Sequence, residues 1–301
     1  MPRQTRTRLA ALASATLAAL GAIALPGTPA QASAKSPTYY VSLGDSYSVG
    51  YQPSPRGATP GYASYVAAHT HLTLVNFGCG GATTTSLLQR IGCPIPLPHT
   101  AGGQLYPTRT QAAAALAFIT AHRGHIGLIT VTIGGNDIVH CASEPDAASC
   151  VVAAAHGIST NVTTLAGQLR AAAGAKVPII GSTYPDVILG SYVYPTHPAS
   201  ASATSLAMLS VTAFKSIINP TLAKSYAESG GSFVDVTRAS GAYTSLKRSV
   251  RTRAYGTIPA PVGAVCRLTW FCARGDIHPR KAGYTLIGKL IVARYQAMTH
   301  R

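Results

Sequence analysis

The stretch Ser42 to Gly50, SLGDSYSVG, decides how the rest of the chain is read. It follows Tyr39-Tyr40-Val41, an aromatic and β-branched run of the kind that fills a buried strand, and then turns sharply through Gly44, Asp45 and Ser46. This order predicts a hydroxyl at a strand tip. In an open α/β sheet ligands bind in the crevice outside the carboxyl ends of the strands, so a serine in the first strand-to-helix turn faces substrate rather than core. A serine hydroxyl is a weak nucleophile alone and needs a base. Gly-Asp-Ser is also an ordinary loop turn, and the assignment depends on the blocks that follow.

Val75 to Thr85, VNFGCGGATTT, and Leu128 to Asp137, LITVTIGGND, each run from apolar residues into glycines and polar groups, as the tips of parallel strands do. Gly275 to Gly283, GDIHPRKAG, supplies a histidine just before a C-terminal helix. Four such blocks in this order, from Tyr40 to Tyr295, resemble the SGNH/GDSL hydrolase family. The resemblance implies Ser46 as nucleophile and His278 as base. It places the oxyanion hole on Ser46, on Gly81, five residues after Asn76, and on Asn136. It also implies a flavodoxin-like three-layer αβα sandwich with a five-stranded parallel sheet, and no cofactor or metal. The chemistry asks for the same residue types: acyl transfer needs an activated hydroxyl, a base near neutral pKa, and donors aimed at the oxygen that becomes negative. Glycine offers its N–H at close approach, and an asparagine amide donates without charge.

One position departs from the family pattern. An aspartate is usual three residues before the histidine, where it orients the imidazole; here Gly275 stands there, and the nearest carboxylate is Asp276. A shift of one residue turns the side chain elsewhere within a loop. Two readings therefore stay open: Asp276 as third member of the triad, or a main-chain carbonyl in that role. Asp45 is read as bracing the turn by accepting backbone N–H bonds.

Residues 1–34 have the form of a secretory signal peptide. Arg3, Arg6 and Arg8 precede the apolar run Leu9 to Leu25, and Ala32-Ser33-Ala34 fits a small-residue cleavage site. A membrane anchor is the rival reading, weakened by Pro26. What remains, residues 35–301, suits one α/β domain. Removing the three leader arginines from the 24 basic residues leaves 21 against eight acidic ones, a formal charge of +13. That excess suits an anionic membrane or cell-wall surface, or serves solubility. Basic residues cluster only over Lys247 to Arg253, and without a recognisable motif nucleic-acid binding is not expected.

Six cysteines behind an export signal favour disulfides over metal, since no C-x-x-C pair exists. Exported members of the family use local pairs, which implies Cys79 with Cys93, Cys141 with Cys150, and Cys266 with Cys272.

Strands are expected at Leu72–Asn76, Leu128–Ile133, Val177–Gly181 and Phe233–Val236, alternating with helices at Tyr62–His69, Thr83–Arg90, Thr108–Arg123, Ala147–Ala173, Leu206–Ser229 and Lys281–Met298. The long helix is expected to break or bend near Gly157. Tyr184, Tyr192 and Tyr194 lie in an irregular stretch and form either a substrate rim or a self-packed loop. Thr237–Cys272 shows no sustained periodicity and delivers Trp270 and Phe271 to the histidine loop. The expected protein is a secreted, monomeric esterase or lipase acting on small-molecule or lipid esters. A phospholipase or polysaccharide deacetylase using the same site is the alternative, and a non-catalytic binding protein of the same fold is the other class.

Overall fold

The computed structural model describes residues 38–53 and 60–299. The leader over residues 1–34 lies outside the described residues, as do residues 54–59. In chain order the elements are β1 (Tyr39–Gly44), α1 (Ser46–Val49), α2 (Tyr62–Thr70), β2 (Thr73–Asn76), α3 (Thr84–Gln89), α4 (Gln111–Ala121), β3 (Ile126–Thr132) and α5 (Gly135–Ile138). They continue with α6 (Ala147–Ala173), β4 (Ile179–Ser182), α7 (Ala201–Ala213), α8 (Asn219–Ala227), β5 (Ser232–Val234) and α9 (Val236–Ala239). A hairpin of β6 (Ser249–Thr252) and β7 (Gly256–Pro259) precedes α10 (Ala260–Leu268), α11 (Phe271–Arg274) and α12 (Lys281–Thr299).

The five-stranded parallel sheet has the order β2-β1-β3-β4-β5, as the flavodoxin-like expectation required. Alternation along the strands divides the core between two helical layers. Val41, Leu43, Ile129 and Val131 meet Ala115 and Ile119 of α4, Leu165 and Leu169 of α6 and Leu222 of α8. Tyr40, Leu128 and Ile180 on the opposite face meet Tyr62 and Val66 of α2 and Tyr284, Ile287 and Ile291 of α12. Strands covered on both faces read as the near-continuous apolar runs seen in the sequence.

The order reverses at β1, which lies between β2 and β3, so the crevice above β1 and β3 is the switch point where such sheets bind ligands. The last residue of β1, Gly44, pairs with Thr132 at φ +135°, and a Cβ there would sit 2.0 Å from the Thr132 carbonyl oxygen. Only glycine fits this crossing.

Several elements differ from expectation. Helix α6 runs unbroken through Gly157, whose open surroundings show that it faces solvent. The helix expected from Leu206 begins at Ala201, capped by Ser200, whose hydroxyl accepts from the Ala203 N–H. A π-helical turn, Phe214–Ile218, joins α7 to α8. Pro220, which has no N–H to continue the α-ladder, follows directly. The stretch read as aperiodic contains a hairpin and α10; the helix is short and holds Gly263, which packs against Val250 of the hairpin. These pieces carry the chain to the histidine loop.

Asp186, just beyond β4, is fully buried. Burial pushes its carboxyl up to about 7, outweighing the hydrogen bonds from Ser210 and from the amides of Ile188 and Leu189. An ordinary aspartate loses its proton near 3.8, so between those values the folded chain holds a proton that the unfolded chain has released. This contribution to stability is present at low pH and is lost as pH rises through about 7. Asp186→Asn should raise Tm at pH 8 and flatten the decline between pH 5 and 8, measured by calorimetry. A decline of unchanged slope would show that Asp186 does not titrate there.

Candidate active site

Ser46 is the first residue of α1, capped by Asp45, whose Oδ1 accepts the Tyr47 N–H at 2.9 Å. Asp45 therefore braces the turn as the sequence suggested. Its Oδ2 accepts from the Tyr184 hydroxyl at 2.6 Å. Burial pushes this carboxyl up to about 7, against the pull of those two bonds. The backbone of the turn is clamped from below: Gly44 N–H donates to Gln111 Oε1 at 2.8 Å, and Gln111 Nε2 donates to the Gly44 carbonyl at 3.0 Å. Asp45 N–H donates across to Thr132 at 3.1 Å.

Ser46 Oγ lies 2.8 Å from His278 Nε2, and His278 Nδ1 lies 2.8 Å from Asp276 Oδ1. The two nitrogens of one ring thus face a hydroxyl and a carboxylate. The sequence left two readings open, and the one-residue shift does not turn Asp276 away from the ring. The His278 amide donates to the same Oδ1 at 2.9 Å, a local turn that curls the carboxylate back onto the ring. Gly275 cannot carry that carboxylate. Its φ is +68° and a Cβ would lie 2.5 Å from the Tyr194 ring, so the side chain moves one position along.

Three further contacts hold the histidine loop. Tyr47 donates its hydroxyl to the Ile277 carbonyl at 2.6 Å, Trp270 N–H donates to the His278 carbonyl at 3.0 Å, and Tyr51 meets the imidazole edge-on at 4.3 Å. Trp270 is itself held between the guanidinium groups of Arg274 and Arg280, 4.6 and 4.1 Å from its ring. Burial lowers the His278 pKa below the ordinary 6.5, more than the Asp276 charge raises it. At neutral pH the ring is uncharged. With Nδ1–H donated to Asp276, Nε2 keeps a lone pair toward the serine hydroxyl.

Asn136 follows β3 and shares a cavity wall with Ser46. Its Nδ2 donates one hydrogen to the Ala82 carbonyl at 2.9 Å, which ties it to the loop after β2. Gly81, with φ +71°, is the neighbour of Ala82 and lines a separate cleft, not the cavity wall that holds Ser46 and Asn136. Asp137 fixes the same loop by accepting from the Thr84 N–H and hydroxyl. Disulfides join Cys79 to Cys93, Cys141 to Cys150, and Cys266 to Cys272, and no described cysteine is free. Each bridge adjoins a block of the site. Among the described residues, His140, Cys141 and Cys150 stand within 4.8 Å of one another, but the two cysteines are spent in a disulfide and offer no thiolate to a metal.

Behind Ser46 opens a cavity of about 90 Å³, with walls from Ile138, Val187, Leu206, Leu209 and Phe214. Tyr184 belongs to this wall and is buried, which favours inward packing over a substrate rim, the two readings the sequence left open. Tyr194 likewise packs inward, edge-on to Phe271 at 5.9 Å. Both tyrosines support the site from behind. Tyr184, Gln111 and Tyr51 carry no local pattern that marks them, because their partners are distant in sequence.

No curated protein sequence matches the chain. The extracellular lipase of Streptomyces rimosus has a similar fold, with a TM-score of 0.50 and 21% identity over 85% of this chain and 98% of the lipase. A G-D-S-L family protein from Desulfitobacterium hafniense DCB-2 aligns at 0.41 with 13% identity, covering 85% of this chain and 98% of its own. A carbohydrate esterase aligns at 0.41 with 12% identity, covering 86% and 68%. The model of the GDSL-like Lipase/Acylhydrolase family matches residues 42–286, from the strand that ends in Gly44 to the start of α12, and the chain belongs to that family.

Proposed function

We propose that the chain is an exported serine esterase that hydrolyses carboxylic esters with apolar acyl groups through an acyl-enzyme on Ser46. The observation that carries this reading is the line Asp276–His278–Ser46, with both links at 2.8 Å, standing at the mouth of an apolar cavity. In the first half-reaction Ser46 Oγ bonds to the ester carbonyl carbon while its proton passes to His278 Nε2. Asp276 holds Nδ1–H and stabilises the imidazolium that forms. The carbonyl oxygen, now negative, is received by the N–H groups of Ser46 and Gly81 and by the Asn136 hydrogen not given to Ala82. Collapse expels the alcohol, which takes the proton back from Nε2. In the second half-reaction a water attacks the acyl carbon, gives its proton to Nε2, and releases the acid, after which Ser46 recovers its proton.

An apolar cavity favours an acyl or lipid ester over an acetylated sugar, whose two-carbon acyl group would leave those walls unfilled. Three disulfides persist only in an oxidising compartment, which supports export, and the charge of +13 beyond the leader suits approach to an anionic interface. A non-catalytic binding role would not need a hydroxyl, an unprotonated imidazole and a carboxylate in hydrogen-bonded series. Ser46→Ala separates these classes: it should keep the melting temperature and lose nearly all hydrolysis of p-nitrophenyl esters. Wild-type rates in that variant would end the esterase reading.

Asp276→Asn should lower kcat by about 10³ to 10⁴, because the amide offers the wrong partner to Nδ1. A loss below about tenfold would return the orienting role to a main-chain carbonyl. The acid limb of kcat/KM reports the free histidine, so its midpoint is expected below the ordinary 6.5. In Asp276→Asn the midpoint should move lower still, since the lost charge favoured the imidazolium. Asn136→Ala should reduce kcat by about 10² to 10³ with KM nearly unchanged, the signature of a donor used in the transition state. A rise in KM alone would make Asn136 a substrate-binding group.

A further inference from the structure

The cavity behind Ser46 has a neighbour. A second cavity lies between α6 and α7, and the two share Val151, Leu209 and Ala213 as common walls. Beyond that neck the outer walls are Val152, Thr212 and Ile217, and Val152 is 45% exposed, so this end reaches the surface. The outer cavity has no ionisable side chain in its lining. Small residues explain why the space exists: α6 offers Ala148, Ser149 and Ala153, α7 ends on Ala213, and α6 packs closely on α8 but barely touches α7. The chain also leaves apolar surface here that nothing in the fold covers. Over the run Ala201–Ala227, apolar enough by composition to cross a membrane, only 28% of the most apolar stretch is buried. Leu206, Leu209 and Val151 are only half-buried where they face the void.

We propose that this crevice is an acyl channel open at both ends. It starts at Ser46, passes the neck at Ala213, and lets a long unbranched hydrocarbon chain emerge between α6 and α7 at Val152. The inference rests on the esterase reading and adds its substrate class: long linear acyl esters, accepted without a length limit set by a floor. The geometry makes Ala213 a specificity-determining residue. It sits where α7 passes into the π-helical turn, its small side chain keeps the neck open, and the chain must pass it to leave. Each methylene taken from water into the channel favours binding about fourfold at most, so preference should climb with length until the chain emerges into solvent and then level off.

Rates on p-nitrophenyl esters from four to sixteen carbons, in mixed micelles at fixed detergent, test the channel. Wild type should show kcat/KM rising from four carbons and then level. Ala213→Phe should lower the ratio of the twelve-carbon to the four-carbon rate by tenfold or more. Val152→Glu, on the exposed exit where packing is not at stake, should lower the sixteen-to-eight ratio several-fold, and it decides the matter if Ala213→Phe does not fold. A wild-type rate that collapses beyond eight carbons, or ratios unchanged in the folded variants, would overturn the channel while leaving the esterase intact. Absence of hydrolysis on every ester would instead overturn the esterase reading, and the channel with it.

Discussion

The pairing of β1 with β3 at Gly44 and Thr132 is the contact on which the remaining arrangement depends. A Cβ at Gly44 would come within 2.0 Å of the Thr132 carbonyl, so the two strands can end side by side only with glycine at that place. The Asp45 amide donates to the same carbonyl, and Gln111 holds both backbone groups of Gly44. With β1 and β3 ending together, the next residues of each strand fall on the two sides of one crevice. Ser46 comes from one and Asn136 from the other. The strand order reverses there, at the crevice where such sheets bind ligands.

The second theme is desolvation used selectively. The chain has eight acidic residues, and three of them, Asp45, Asp186 and Asp276, surround the cavity or its supports. Burial raises the first two carboxyls to about 7 and lowers the His278 pKa, so each shift favours the uncharged form. For His278 this is the state a base requires. Asp45 keeps both carboxylate oxygens hydrogen-bonded, to Tyr47 and Tyr184, which links the nucleophile's turn to the end of β4. The aromatic residues Tyr47, Tyr51 and Trp270 each contact the histidine loop.

Much of this was legible in the sequence where the signal is local. Ser46, Asn136 and His278 each sit in a block whose glycines and flanking apolar run report a strand tip or a helix start, and parallel strands buried on both faces announce themselves as apolar runs. The sequence left the choice between Asp276 and a main-chain carbonyl open, because spacing counts residues and not the path of the loop: Gly275 in a left-handed conformation against Tyr194 lets a carboxylate two residues away reach the same nitrogen. The contacts of Gln111 and Tyr184 with the nucleophile turn escaped for a different reason. Their partners, Gly44 and Asp45, are 67 and 139 residues distant, and no periodicity encodes such contacts. Helix α10 was missed because nine residues containing a proline and a glycine give too little pattern to count. The open neck between α6 and α7 belongs wholly to tertiary packing.

The central claim is that Ser46 is a nucleophile activated by His278. Incubating the folded protein with a fluorophosphonate ester and mapping the adduct by mass spectrometry tests it most directly, because such probes react with an activated serine and ignore ordinary hydroxyls. The account predicts one adduct per chain, on the peptide that carries Ser46, forming more slowly as pH falls through the His278 transition and absent in Ser46→Ala. A folded wild-type protein that remains unmodified, or that is modified on a different serine, would contradict it.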